Sequence, residues 1–270
     1  MAERYATEPT LPPRPVGSRA HSPRQVGRSR FGIAPHTTPA DLAANRRFLH
    51  VEHATLFYLI PIILLFRDPT QHWIILALFF AFTVGCFWWL RRDRARQQHA
   101  DRHLASPTQT LEPLWNNAAA RRAVPGIVTR FLVLGTLVSL GVWLFMPERF
   151  MSFPRTALQR WVMVMLLYPI LSVVPQEIIW RAFFFRRYRE IFRSPAAMIF
   201  ASACAFAFIH ILLENAIAVG LTLVGGVLFA TTYQRTRSLA AASLEHALYG
   251  CLVFTIGLGW YFFLGGYPAR

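Results

Sequence analysis

The chain reads as a series of long apolar runs separated by short polar connections. Residues 72–90 contain no Asp, Glu, Lys or Arg, and 196–213 and 216–233 are nearly as clean, the last broken only by Gly220, Gly225 and Gly226. A hydrocarbon core of about 30 Å takes about 20 such residues per helix. Runs at 161–180 and 239–264 are long enough too, although the first ends in Pro175-Gln176-Glu177 and the second carries Glu245 and His246. Two more, 48–66 and 123–146, are interrupted by Glu52 with two histidines and by Arg130. The pattern predicts an all-α, polytopic membrane helix bundle of seven transmembrane helices, or eight if the last run breaks at its glycines.

Residues 1–45 lack such runs and are dominated by Arg, Pro, Ser and Thr, which predicts a disordered cytoplasmic tail. They hold no short apolar core with a small-residue cleavage site, so no cleaved signal peptide is expected. The transmembrane domain is expected over 46–270, with a polar connection at 91–122. No internal repeat is visible.

Composition agrees with a lipid environment. Of 270 residues 54% are hydrophobic and only 15% charged, where a soluble domain carries about 25% charged residues. The net charge of +15 comes from 28 basic residues, every one an arginine, against 13 acids. A soluble nucleic-acid binder would not bury such long uncharged runs, so nucleic acid is not an expected partner. With the amino terminus cytoplasmic, sixteen arginines beyond the distal tail fall in inner connections and five in outer ones. The basic excess is thus an orientation signal for a cell (inner) membrane, with anionic lipid headgroups as its partner. Cys86, Cys204 and Cys251 all lie in apolar runs, which argues against a disulfide framework.

Charged groups at a membrane-helix centre cost about 2.5–3.5 kcal/mol on insertion scales, so their positions are informative. They concentrate in the second half, at Glu177, His210, Glu214, Glu245 and His246. Histidine and carboxylate on three helices can meet only in a bundle interior, the composition of a catalytic or ion-handling site. Glu177 and Arg181 are four apart and share a helix face, as do Phe206 and His210, His210 and Glu214, and His246 and Gly250. Gly250 leaves room beside the His246 imidazole. Pro169 and Pro175 each remove a backbone donor beside Glu177. The alternatives are an interfacial Glu177–Arg181 pair, packing histidines, and helix-end roles for Glu214 and Glu245. His50 and His53 are expected at the interface, and the small residues from Ala216 to Ala230 in close helix packing.

Three motifs carry a resemblance: Pro175-Gln176-Glu177-Ile178-Ile179-Trp180-Arg181, then Phe206-Ala207-Phe208-Ile209-His210, then His246 with Gly250 four residues on. Together, over about 155–260, they resemble the CPBP (Abi) family, which includes the type II CAAX prenyl endopeptidases. The family's motifs read Glu-Glu-x3-Arg, Phe-x3-His and His-x3-Asn or Asp. The resemblance implies intramembrane endoproteolysis, with a first-motif glutamate and the second-motif histidine activating water and the third motif holding the oxyanion. Here Gln176 stands at the family's usual water-activating glutamate and Gly250 at its asparagine.

The resulting expectation is an intramembrane endopeptidase cleaving a peptide or membrane-anchored protein tail reached from the cytoplasmic leaflet. Glu177 is the expected acid/base residue or the orienter of a Gln176-bound water; Glu214 or Glu245 is the alternative base. His210 polarises the water, His246 stabilises the tetrahedral intermediate, and Arg181 fixes Glu177. No firm cofactor is implied; Zn²⁺ held by Glu177, His210 and His246 is the alternative. The other classes are a non-catalytic peptide- or lipid-binding family member and a proton-coupled transporter, which buried Glu and His also suit.

Overall fold

The computed structural model describes residues 39–66, 68, 71–102 and 113–262. The chain divides into Met1–Leu42 and Ala43–Arg270, and the candidate site lies in the second unit. Most of the predicted amino-terminal tail falls outside the described residues; its last part, from Pro39, already opens a helix.

The described residues form a helical bundle without strands. Six helices are long and apolar enough to cross a membrane: α1 (Ala40–Leu65), α2 (His72–Arg102), α3 (Asn117–Phe145), α4 (Leu158–Arg187), α5 (Pro195–Leu213) and α6 (Ala216–Thr236). The seventh apolar run gives a shorter helix, α7 (Leu239–Thr255). It does break at a glycine, because Gly257 adopts φ +101, and beyond the break the described residues form a 3₁₀ turn over Leu258–Phe262. The segment read as a polar connection is helical for longer than expected, since α2 continues to Arg102.

Local chemistry sets the helix starts. Asn116, Ser194, Asn215 and Ser238 each accept a hydrogen bond from the backbone N–H three residues on, satisfying a donor that the first helical turn leaves open. Glu214 (φ 57) and Arg237 (φ 49) stop α5 and α6 in the left-handed region. These two-residue connections make α5, α6 and α7 antiparallel neighbours. Large apolar side chains face outward, among them Phe66, Phe145, Trp73 and Leu166, as a lipid-facing bundle requires. The protein is an integral membrane protein.

The weak spans are explained by partners. Glu52 on α1 receives both Nε and Nη2 of Arg187 at 2.8 and 2.6 Å, and the Tyr188 hydroxyl at 3.0 Å. Arg130 on α3 donates Nε and Nη2 to Glu245 at 3.0 and 2.8 Å, while Thr232 also donates to Glu245. His50 is exposed, and the His53 ring packs among Phe57, Tyr58, Phe184, Tyr188 and Phe192 at 5.2–5.7 Å between centroids.

The small-residue stripe of α6 is only partly a packing device. A Cβ on Gly226 would lie 3.0 Å from the Ala203 Cα of α5, whereas one on Gly220 would meet nothing within 4 Å. Gly226→Val is therefore expected to force α5 and α6 apart, an overpacking cost of about 1–3 kcal/mol. Thermal unfolding in detergent checks this: Gly226→Val lowers the midpoint, and Gly220→Ala leaves it at or above wild type because a helix-interior glycine is itself unfavourable.

Candidate active site

Helix α4 is regular only in pieces. A π-helical turn over Pro169–Val173 is followed by one α-turn, Val174–Glu177, and a second π-helical turn, Ile178–Phe183. Pro169 and Pro175 supply no N–H to the helical ladder, and wide turns of this kind recur at functional sites. Between them the helix presents Gln176 and Glu177 about 100° apart, so neighbours in sequence face different surroundings.

Glu177 is fully buried and both its oxygens are engaged. Oε2 lies 3.2 Å from Arg181 Nε, and Oε1 accepts from His246 Nδ1 at 2.9 Å. The four-residue spacing thus produces a pair, and it is buried rather than interfacial. Arg181 is buried as completely; its Nη1 donates to Ser202 Oγ at 3.0 Å, and Ser202 donates to the Trp180 carbonyl at 2.6 Å. Phe206 and Phe229 face the guanidinium at 5.1 and 5.9 Å. Aromatic faces and a hydroxyl thereby add to the ion pair around a cation that lipid could not solvate, while its Nη2 is left buried without a hydrogen-bond partner.

His246, on α7, is clamped between Glu177 and the rings around it. Its imidazole stacks on Phe229 with 4.4 Å between centroids and 14° between planes, and meets Phe206 edge-on. A carboxylate paired with arginine accepts from Nδ1–H, which leaves Nε2 to face outward. That nitrogen lies 3.2 Å from the Tyr168 hydroxyl. His210, at the end of α5, holds its Nδ1 against the Phe206 carbonyl at 2.7 Å and its ring edge-on to Phe206. A carbonyl only accepts, so Nδ1 carries the proton and Nε2 is the free base.

A cavity of about 820 Å³, lined mostly by apolar side chains, brings these groups together: Gln176, Tyr168, His210, His246 and Gly250 all line it. Gln176 Nε2 donates to Ser172 Oγ at 2.8 Å, which leaves the carboxamide oxygen as the acceptor for the cavity. Glu177, expected as the acid/base residue, is not among the lining residues. It reaches the cavity only through His246. The cavity extends from Gln176, Phe206 and His246, near mid-helix, to Leu64, Ile75, Leu213 and Phe254, at the bundle end that carries the 66–71 and 214–215 connections. That end is opposite the one where α4 finishes at Arg187.

The alternative bases lie elsewhere. Glu214 is exposed at the left-handed turn after α5, and Glu245 is committed to Arg130 and Thr232. Among the described residues no three His, Cys, Asp or Glu side chains converge as a metal site. Glu177, His210 and His246 do not fit Zn²⁺, because both carboxylate oxygens and both Nδ1 atoms are already engaged and the two Nε2 atoms are too few donors alone. Sequence reasoning missed Tyr168, Ser172, Ser202 and Phe229. Tyr168 had one available signal, its place immediately before Pro169 and two helical turns ahead of Gln176.

Removing one partner of a buried ion pair strands the other, at about 3–5 kcal/mol. Arg181→Met is accordingly expected to lower the unfolding midpoint in detergent steeply. Arg181→Met combined with Glu177→Gln is expected to recover most of that loss, since no unpaired charge remains and a carboxamide oxygen can still accept from His246.

No curated protein and no solved structure matches the chain. Residues 158–252, a stretch that holds α4, α5, α6, most of α7 and all three motifs, match the family described as Rce1-like, type II CAAX prenyl endopeptidase Rce1-like.

Proposed function

We propose that this protein is an intramembrane endopeptidase in which His210 activates a water held by Gln176, and His246 stabilises the tetrahedral intermediate. The observation carrying this reading is that two imidazoles, each with Nδ1 fixed by an acceptor, line one cavity together with the Gln176 side chain. The membrane-endopeptidase family match supports the reaction class.

A glutamine accepts a hydrogen bond but not a proton at neutral pH. The proton of the attacking water therefore passes to His210 Nε2 while the hydroxide oxygen bonds to the scissile carbonyl carbon. The carbonyl π pair moves onto oxygen. Collapse of that oxyanion breaks the C–N bond, and His210 returns the proton to the departing nitrogen. His246, in its protonated form, donates Nε2–H to the oxyanion, and Glu177 carries the countercharge on Nδ1. Glu177 is thus a positioning residue, and Arg181 positions Glu177.

The substrate class is a peptide or the tail of a membrane-anchored protein. The expectation of access from the cytoplasmic leaflet rests on Arg181 reaching the basic face, and Arg181 is instead wholly buried. The cavity's reach toward the opposite end supports access from the arginine-poor side. The arginine distribution supports an inner-membrane location with a cytoplasmic amino terminus and contact of the basic face with anionic lipid. A non-catalytic groove is the second reading, favoured by Gln176 itself.

Cleavage of a pooled library of membrane-tethered peptides in liposomes tests the assignment. His210→Ala is expected to lower turnover about 10²–10⁴-fold, and Gln176→Glu to raise it by restoring a second acceptor of the proton. Chelation of divalent metals is expected to leave the rate unchanged, as the donor set implies. Absence of cleavage by the wild type, with peptide binding that survives His210→Ala, would establish the groove instead.

A further inference from the structure

Gly250 and Tyr168 occupy one space. A Cβ built on Gly250 would overlap the Tyr168 ring and hydroxyl. Nothing about α7 requires a glycine there, since the helix continues for another turn and position 250 has no positive φ. What requires it is the phenol arriving from α4. Phe254 packs edge-on against that phenol at 5.2 Å, one turn beyond Gly250 on the same face of α7.

We infer that Tyr168 is a catalytic residue, the second donor to the tetrahedral oxyanion, and that Gly250 is the slot that admits it. This rests on the endopeptidase reading. The hydroxyl and His246 Nε2 are 3.2 Å apart, and both atoms belong to side chains lining the cavity. One oxygen can therefore sit at about 2.7–3.1 Å from each, the distance range of an oxyanion donor pair. In the resting site the two atoms hydrogen-bond to each other. When the carbonyl oxygen becomes anionic between them, the imidazolium Nε2–H of the fixed ring points at it and the phenol O–H rotates to it, and no proton leaves the phenol. The chemistry of the hole is thereby supplied from α4 rather than from position 250 of α7.

Steady-state cleavage in liposomes by Tyr168→Phe, Tyr168→Ala, Gly250→Asn and the double variant Tyr168→Ala with Gly250→Asn tests this against wild type, with His210→Ala as the inactive reference. Tyr168→Phe keeps the ring packing, so its thermal midpoint is expected to stay at the wild-type value while kcat falls about 10²–10³-fold and KM changes little. Gly250→Asn is expected to lose activity because the added side chain meets the phenol. The double variant is expected to exceed Tyr168→Ala by at least about tenfold in kcat, because the carboxamide then stands where the phenol stood. Wild-type kcat in Tyr168→Phe, beside an inactive His210→Ala, would overturn the assignment and leave the endopeptidase intact. Wild-type kcat in Gly250→Asn would likewise overturn the shared space. A wild-type protein that cuts nothing would overturn both this inference and the reading beneath it.

Discussion

An ion in hydrocarbon must bring its own solvent, and the site is organised around one that does. Glu177 and Arg181 are wholly inside the bundle, where water cannot offset their charge. Each is therefore held by everything near it: the carboxylate by an arginine and an imidazole, the guanidinium by a carboxylate, a serine hydroxyl and two aromatic faces. This packing joins α4, α5, α6 and α7 at one point. It also fixes the His246 ring, because an imidazole with a carboxylate on Nδ1 and a phenyl ring stacked on its face has little freedom left. The same rule organises the periphery, where Glu52 meets Arg187, Asp93 meets Arg186 and Glu245 meets Arg130.

Helix α4 must satisfy that interior pair and still present polar atoms to a cavity on another side. A regular α-helix gives adjacent residues a fixed 100° separation. The π turns before and after Val174–Glu177 relax that constraint, and the two prolines remove donors that would otherwise be left without acceptors where the ladder widens. Gln176 then faces the cavity with its amide hydrogen taken by Ser172, and Glu177 faces inward. Among the described residues a π turn of this kind recurs over Thr55–Leu59 of α1, whereas α6 and α7 run without one.

Long-range order was legible where it follows from hydrophobic length. The seven apolar runs became seven helices because span length is set by the bilayer and not by detailed packing. The Glu177–Arg181 pair was legible from its spacing, since residues four apart are helical neighbours whatever surrounds them. The partners that decided roles were not legible. Arg130 made the third span look doubtful and Glu245 made the seventh look functional, yet each is the other's counterion across 115 positions of sequence. That Gln176 and not its neighbour Glu177 lines the cavity was not legible either, because periodicity alone assumes a regular helix and α4 carries two π turns. Small-residue spacing suggested close packing along α6; Ala218 and Ala230 are fully buried, and of the three glycines only Gly226 has a backbone against it.

Gln176 and Gly250 read in sequence as two separate losses from the family pattern. In three dimensions they are of different kinds. Gln176 lines the cavity with a carboxamide that can accept a hydrogen bond but has no capacity to take a proton, which is why the proposed acid–base work is given to His210, whose tautomer the Phe206 carbonyl already sets. Gly250 is not a loss of occupancy, because the volume beside His246 is filled by a hydroxyl-bearing ring from another helix. A chain drifting away from chemistry would have no reason to keep a buried carboxylate, a buried guanidinium and two oriented imidazoles, each costly in lipid. A polar phenol fitted into the gap left by glycine is likewise what a retained oxyanion site requires, and an apolar side chain of the same volume would have served packing alone.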